Sequence, residues 1–385
     1  MSKLNGYDFY NQVLKAPKYI VAPMVDQSEW AWRILSSRYG AHLSYTPMIS
    51  ARSFVESEKY RIENFSTGAE DRPLIAQFAG HNPQTLLAAA KMIQNKVDAV
   101  DINLGCPQHI AKRGHYGAYL QDEWELIASM VKLLHEELDV PVTVKIRIFP
   151  DVEKSIRYAQ MLESSGCQLL TVHGRTREQK GHNSGLADWE QIRRIKASVS
   201  IPVFANGNIL YFKDIKACMD YTGVDGIMSA EGNLYNPALF TGKFYANWKL
   251  ALEYLEIVKE FPNSASMSAI RGHLFKIFHA CLPDNTDIRA NFANCRTLED
   301  FSDNVLELTS RLQKAYGSDE QFYNADVSKA IMELPKWVLQ PYFRKPLPQK
   351  EKKIDDKKVF CVKSTDKKSD NTPGNVVSAL NELGG

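Results

Sequence analysis

The sequence predicts an α/β chain: a (β/α)8 TIM barrel over residues 1–236, a small all-helical domain over 237–335, and a Lys/Pro-rich basic tail over 336–385 expected to be disordered. Three observations predict it. Eight short apolar runs alternate with helical patterns through the first 235 residues, and the strand signal then stops. Polar residues also recur at the C-terminal ends of the runs, where a barrel carries its function.

The strand candidates are Tyr19–Ala22, His42–Tyr45, Leu74–Phe78, Ala99–Asn103, Val142–Ile146, Leu169–His173, Val203–Ala205 and Gly226–Ser229. Helical patterns between them cover Trp30–Tyr39, Thr85–Gln94, Trp124–Leu138, Lys154–Ser164, Trp189–Ala197 and Tyr211–Asp220. Strands alternating with helices imply a parallel sheet. A doubly wound sheet is the alternative, weakened because neither an early GxGxxG nor a Walker A sequence is present. Past Pro237, the stretches Tyr245–Glu260, Ala265–Cys281 and Leu298–Ala315 read as amphipathic helices, with Ser266 or Ser268 available to cap the second. After Pro335 the composition turns to LPQKEKKIDDKK and KSTDKKSDNTPG, too polar to build a core.

Composition bounds the classes of function. The net charge of +2 hides an uneven distribution: ten Lys/Arg against six Asp/Glu from Arg344 onward leave 37 against 39 in the preceding chain. Any nucleic-acid surface on the folded part must therefore come from local arrangement. No apolar run reaches the length of a membrane span, and MSKLNGYDFY lacks a secretory pattern. The six cysteines are scattered without a CxxC pair, so reduced thiols are expected rather than disulfides or zinc. A cytoplasmic or nuclear, non-secreted protein is expected, monomeric and without a metal.

Chemistry concentrates in Asp101–Ala118, DINLGCPQHIAKRGHYGA. An apolar run breaks at Gly105-Cys106-Pro107, where Pro107 biases Cys106 toward an extended backbone and Gly105 allows a sharp turn. A thiol is thus held at a strand end, with the Asn103 amide before it and the cations Lys112 and Arg113 in a flexible segment after it. Taken alone, this is as well read as a tight turn with a packed cysteine and solvated charges. The other strand ends decide. They carry Pro23-Met24-Val25-Asp26, Gln77, Lys145 with Arg147, His173-Gly174-Arg175, Asn206-Gly207-Asn208 and Ala230-Glu231-Gly232. The last two are glycine-bearing turns leading into helices, the pattern of a barrel phosphate site. A lysine inside a barrel is costly without a compensating anion. The bland alternatives are Lys145 paired with Asp101, His173 as a satisfied core histidine, and Gln77 in a strand-end hydrogen bond. Seven polar ends in register favour a phosphate-bearing cofactor.

APM near the start, Gln77 in AQFAG, DINLGCP with AKRGHYGA, VKIR, TVHGRT with ADW downstream, NGN and SAEG together resemble the tRNA-dihydrouridine synthases, in order from Tyr19 to Asn236. The Cys-Pro motif with KRGHYGA is similar to the eukaryotic branch acting on D-loop uridines 16 and 17. The resemblance implies an FMN enzyme that reduces the C5=C6 bond of a tRNA uridine with NADPH or NADH, and an RNA-binding role for the helical domain. It implies Cys106 as general acid: a thiol of ordinary pKa, about 8.5, is mostly protonated near neutrality. It implies Pro23, Met24, Val25, Gln77, Lys145, His173, Asn206, Gly207, Asn208, Ala230 and Glu231 as FMN contacts. Asn103 and Arg175 are then candidates for the uracil, a role Lys145 and His173 could share, and Lys112 and Arg113 for the tRNA backbone. Arg271, His273, Lys276 and His279 share one predicted helix and are RNA-contact candidates, against an ordinary solvated helix. The chain departs from many relatives at Val25-Asp26-Gln27-Ser28 and at Gly181-His182-Asn183-Ser184. Two other readings compete: an FMN barrel oxidoreductase for a free pyrimidine, which leaves the helical domain unexplained, and a non-catalytic tRNA-binding protein, which leaves Cys106 and Lys145 unexplained.

Overall fold

The computed structural model describes residues 4–181, 184–322 and 334–342. Eight parallel strands close a barrel: β1 Tyr19–Val21, β2 Leu43–Tyr45, β3 Leu74–Ala79, β4 Ala99–Leu104, β5 Val142–Arg147, β6 Leu169–His173, β7 Val203–Asn206 and β8 Gly226–Ser229. Closure is made by β8 against β1 (Ile20 opposite Met228) and β2 against β3 (Tyr45 opposite Ile75). A two-residue strand not expected from the sequence, Ile49–Ser50, extends the barrel wall beside Phe78 and Ala79.

The period-two rule assigns the faces. Ile20, Leu43, Tyr45, Ile75, Ala99, Leu169, Phe204 and Met228 meet in the lumen, and their neighbours Val21, Val203 and Ile227 join the layer beneath the helices. Both faces are buried, so the strands read as mainly apolar, interrupted in β3, β4 and β5 by Gln77, Asp101, Asn103, Thr143 and Lys145. The lumen floor is closed by an N-terminal helical segment, residues 6–13, absent from the sequence reading. It inserts Phe9 and Tyr10, and the Tyr10 hydroxyl donates to the Asp225 carbonyl at 3.0 Å.

The helices that position the site are α1 Trp30–Arg38 after β1, α2 His109–Gly114 after β4, α3 Trp189–Ser198 after β6 and α4 Glu231–Tyr235 after β8. The helical part contains α5 Asn247–Glu260, α6 Met267–Ile277, α7 Thr286–Asn294 and α8 Leu298–Tyr316. The nine-residue α7 was not expected, because only Ile288 and Phe292 mark its apolar side. Trp32 and Leu35 of α1 pack into the same core as Trp248, Tyr254, Phe278 and Phe301. Barrel and helices accordingly form one compact unit through Pro341.

Two expectations are corrected here. Strands do occur beyond Pro237: Phe244–Tyr245 pairs antiparallel with Gln321–Phe322. The tail does not begin at 336, since Trp337, Val338 and Leu339 are buried and Leu339 N–H donates to the Tyr245 carbonyl at 3.0 Å. Apolar burial of those three side chains overrides the surrounding Lys/Pro composition. The remainder of the expected tail, 343–385, lies outside the described residues, as do His182 and Asn183.

Candidate active site

The Cys106 turn is held through its backbone. Asn103, at the end of β4, accepts from Gly105 N–H at 3.1 Å and Cys106 N–H at 2.9 Å with one side-chain oxygen. The Cys106 carbonyl accepts from Ala118 N–H at 3.0 Å. Gly117 has φ +66°, and a Cβ there would stand 2.7 Å from the Cys106 oxygen, so this contact requires glycine. Arg147 donates to the Gly105 carbonyl at 2.9 Å, and to those of Thr176 and Gln179 at 2.7 and 2.9 Å, joining the thiol turn to the loop after β6. The Pro107 carbonyl accepts from Tyr119 Oη at 3.1 Å and Lys180 Nζ at 2.9 Å. Cys106 as a residue is partly exposed.

Beneath the turn runs a buried polar chain. Asn103 Nδ2 donates to Gln77 Oε1 at 2.7 Å, Gln77 Nε2 to Asp101 Oδ2 at 2.8 Å, and Thr143 Oγ1 to Asp101 Oδ1 at 2.6 Å. Gln77 is fully buried, with both ends of its amide engaged in this chain. The structure thus places it as the support of Asn103. Burial pushes the Asp101 carboxyl up to about 6, against the hydrogen bonds from Thr143 and Gln77 and the charge of Lys145.

A cationic wall stands beside the turn. Lys145 Nζ donates to Asn206 Oδ1 at 3.0 Å, and the Asp101 oxygens are occupied by Thr143 and Gln77 rather than by this lysine. Burial, then the Arg147 charge, brings Lys145 down to about 8, with Asp101 and Cys106 acting in the opposite sense. His173 is held well below the usual imidazole value by burial and by Lys145, Arg147 and Arg175, so it is neutral near pH 7. Arg175 lies 3.3 Å from His173 Nε2 and donates to Asn208 Oδ1 at 2.8 Å.

The turns after β7 and β8 are shaped by glycine. Gly207 has φ +115°, and a Cβ there would approach Ala187 Cβ at 2.7 Å and His173 Cδ2 at 3.0 Å. Asn208, at φ +59°, accepts from Ala187 N–H, and Trp189 Nε1 donates to the Gly207 carbonyl at 3.1 Å. The Ala187-Asp188-Trp189 motif therefore braces the Asn206-Gly207-Asn208 turn, with Asp188 capping α3 through Gln191 N–H. Ala230 and Glu231 open α4 after β8, where a Cβ on Gly232 would strike the Ile209 carbonyl at 2.3 Å. Pro23 and Met24 are half-buried and Val25 exposed, in a turn closed by Ser28 Oγ on Met24 N–H at 3.0 Å.

These residues fit a flavin mononucleotide. Two backbone turns that exclude side chains suit a phosphate, and a cluster of Lys145, Arg147 and Arg175 around a neutral His173 is costly without a bound anion.

The structure corrects the flexible reading of the segment after Cys106 and the RNA-contact candidacy of His273 in α6. The basic segment after Cys106 is a short helix, with Lys112 and Arg113 exposed. Arg271 is engaged inside the helical unit, donating to the Phe292 and Cys295 carbonyls at 3.1 and 2.6 Å. His273 is fully buried, stacked on Trp32 at 3.8 Å and bonded to Glu29 at 3.0 Å, where no RNA can reach it. Lys276 is half-buried, donates to the Gly272 carbonyl at 3.2 Å, and is lowered by burial against the charge of Glu29. Arg147, Gly117 and Trp189 had no assigned role; Arg147 stood at a polar strand end, the one signal available for it.

The family model described as dihydrouridine synthase (Dus) matches residues 20–315. A Mus musculus protein named "tRNA-dihydrouridine(16/17) synthase [NAD(P)(+)]-like" is 50% identical over 347 residues, covering 89% of this chain and 72% of its own length. A Schizosaccharomyces pombe protein named "tRNA-dihydrouridine(16/17) synthase [NAD(P)(+)]" is 47% identical over 379 residues, covering 92% and 95%. A Homo sapiens protein named "tRNA-dihydrouridine(20a/20b) synthase [NAD(P)+]-like" is 39% identical over 244 residues, covering 63% and 76%. The family match runs through barrel and helical unit alike, and the chain belongs to the dihydrouridine synthase family.

Proposed function

We propose that this enzyme reduces the C5=C6 bond of uridine to dihydrouridine in the D-loop of tRNA, at positions 16 and 17, using FMN and electrons from NADPH or NADH. The substrate, positions and nicotinamide are those named for the two more similar relatives above. The observation that carries the chemistry is the Cys106 turn, whose backbone is held at Gly105 N–H, Cys106 N–H and the Cys106 carbonyl while the residue stays partly exposed.

Bound FMN would be held by the turns after β1, β7 and β8 with Lys145 and His173, and the chemistry it supplies is a hydride equivalent for C6. Reduction at C6 leaves negative charge on C5 and the adjoining carbonyl, which needs a proton. Cys106 Sγ–H gives that proton to C5, and the resulting thiolate is reprotonated from solvent. Lys145, Arg147 and Arg175 present positive charge beside the turn, which stabilises the developing anion. Asn103 fixes the backbone that carries the thiol. Reaching a barrel mouth requires the base to leave its stack, so the uridine is bound flipped.

The test is to incubate FMN-loaded enzyme and NADPH with an unmodified tRNA transcript and map dihydrouridine along it. Reduction at 16 and 17 is expected. A flavin that NADPH reduces but that leaves every tRNA uridine intact would refute the reading and favour a free-pyrimidine substrate.

A further inference from the structure

Three aliphatic side chains stand exposed in segments that follow barrel strands at their C-terminal ends: Val25 after β1 (55%), Ile110 on α2 after β4 (58%) and Leu186 after β6 (78%). Single exposed aliphatics are ordinary. Here they share the face that carries Cys106, and Ile110 is four residues beyond the thiol. Its helix is firmly seated: Ala111 is fully buried, the Tyr116 ring lies against Gly114, and Gly117 packs on Cys106. On the same helix Lys112 and Arg113 are exposed and enter no ion pair among the described residues, whereas His115 is held by Glu123 at 3.0 Å. A surface meant only for phosphates would be polar throughout. This one carries, in chain order, the thiol, an isoleucine and two exposed cations.

We propose that Ile110 is an apolar wedge that packs against the nucleobases left unstacked when the target uridine enters the barrel, with Lys112 and Arg113 on the flanking phosphates. The inference rests on the function proposed above. Extracting a base from its stack exposes the faces of its neighbours, and an apolar side chain inserted there recovers part of the lost contact. Phosphate contacts hold the RNA in register but cannot supply that term. The occupant is an unstacked single-stranded loop, because a continuous duplex presents no base faces to a wedge.

The test compares variants of the full FMN-loaded enzyme on tRNA with NADPH. Ile110→Ala should lose about tenfold in kcat/KM, mainly through kcat, with flavin reduction by NADPH unchanged. Ile110→Asp should lose more, and Ile110→Met should stay near wild type. Lys112→Ala and Arg113→Ala should instead raise KM and each flatten the salt dependence by about one unit of slope. In a second arm, 2-aminopurine replaces a base beside the target uridine, and binding is followed with Cys106→Ala enzyme. Its fluorescence should change on binding, and the change should vanish in Cys106→Ala/Ile110→Ala at saturating protein. Because that enzyme cannot turn over, this arm reads the wedge whether or not wild type forms dihydrouridine. Wild-type kcat/KM for both Ile110→Ala and Ile110→Asp, a loss confined to KM, or an unchanged fluorescence signal in the double variant overturns the proposal.

Discussion

Replacing Asn103 by alanine tests the claim that one amide organises the proton donor. The substitution removes the oxygen serving Gly105 N–H and Cys106 N–H, and the nitrogen serving Gln77 Oε1. Each backbone bond contributes about 1 kcal/mol net, and a buried acceptor left without a partner costs about 1–3 kcal/mol. Gln77 is fully buried, so its carbonyl falls in the second class. The total is about 4 kcal/mol, which for a chain of this size lowers Tm by about 5 °C. Catalysis should suffer more, because a misplacement of about 1 Å at the reacting atom can cost roughly a hundredfold. The assays are thermal unfolding and, without tRNA, the rate at which iodoacetamide alkylates Cys106, a measure free of any contact between Asn103 and substrate. Asn103→Asp keeps the acceptor for both amides and should retain most of the thiol's wild-type alkylation rate, while still losing stability at Gln77. Wild-type Tm and alkylation rate for Asn103→Ala, or an aspartate variant whose thiol is perturbed as much as the alanine variant's, would refute the reasoning.

Gly207→Ala places a Cβ 2.7 Å from Ala187 at φ +115°, so purified protein should carry little FMN by absorbance while its far-UV circular dichroism stays close to wild type. Lys145 titrates at about 8 in the free protein, so FMN affinity should be level below that pH, where the ammonium is charged. Above it, affinity should fall by up to about tenfold per unit; fluorescence titration should show this slope, and Lys145→Met should abolish it. Arg33 and Asp71 form a buried pair at 2.6 Å, and Arg33 also donates to the Ser28 and Ser66 carbonyls. Arg33→Met should therefore cost about 3–5 kcal/mol in urea unfolding, with part of the loss recovered in Arg33→Met/Asp71→Leu. Trp337→Ala removes a side chain stacked on Trp248 with ring centroids 5.4 Å apart and should destabilise the unit by about 3–5 kcal/mol, an outcome impossible if that segment were free tail.

The barrel was legible because its strands are buried on both faces and polar residues gather at their C-terminal ends. The helical part was less so. The apolar stripe of α7 consists of Ile288 and Phe292, too few residues for periodicity to register. The floor segment 6–13 uses Phe9 and Tyr10 in a polar context, and nothing local tells that they enter a lumen. Trp337 to Leu339 disappeared into the average of a Lys/Pro-rich stretch. For α6 the reason is different. Arginine and histidine suggest a surface by type, but their partners are remote in sequence: Glu29 reaches His273 across 244 residues, and Arg271 finds the end of α7. In Glu29 burial alone would raise the pKa, yet the charge and hydrogen bond of His273, with the Tyr254 hydroxyl at 2.7 Å, outweigh it and leave the carboxylate below its ordinary value. That network joins α1 to the helical unit, and only the fold could reveal it.

The choice of Cys106 over the other thiols follows from where each can send its proton. Cys167, Cys281 and Cys295 donate to carbonyls at 3.2, 3.3 and 3.3 Å, and all three are buried. Burial pushes Cys218 and Cys281 up to about 12, so their protons are retained and shielded. Cys106 is the one partly exposed thiol among the described residues, and the bonds around it all go to backbone atoms of its turn, leaving Sγ uncommitted. A proton donor needs this combination. Its position must be fixed by groups other than the one that reacts, since a hydrogen bond to the thiol would have to break at each turnover and would add to the barrier. The Asn103 oxygen, the Arg147 guanidinium and the missing side chain at Gly117 supply the fixing from three directions. The reactive atom is thereby left to the substrate alone.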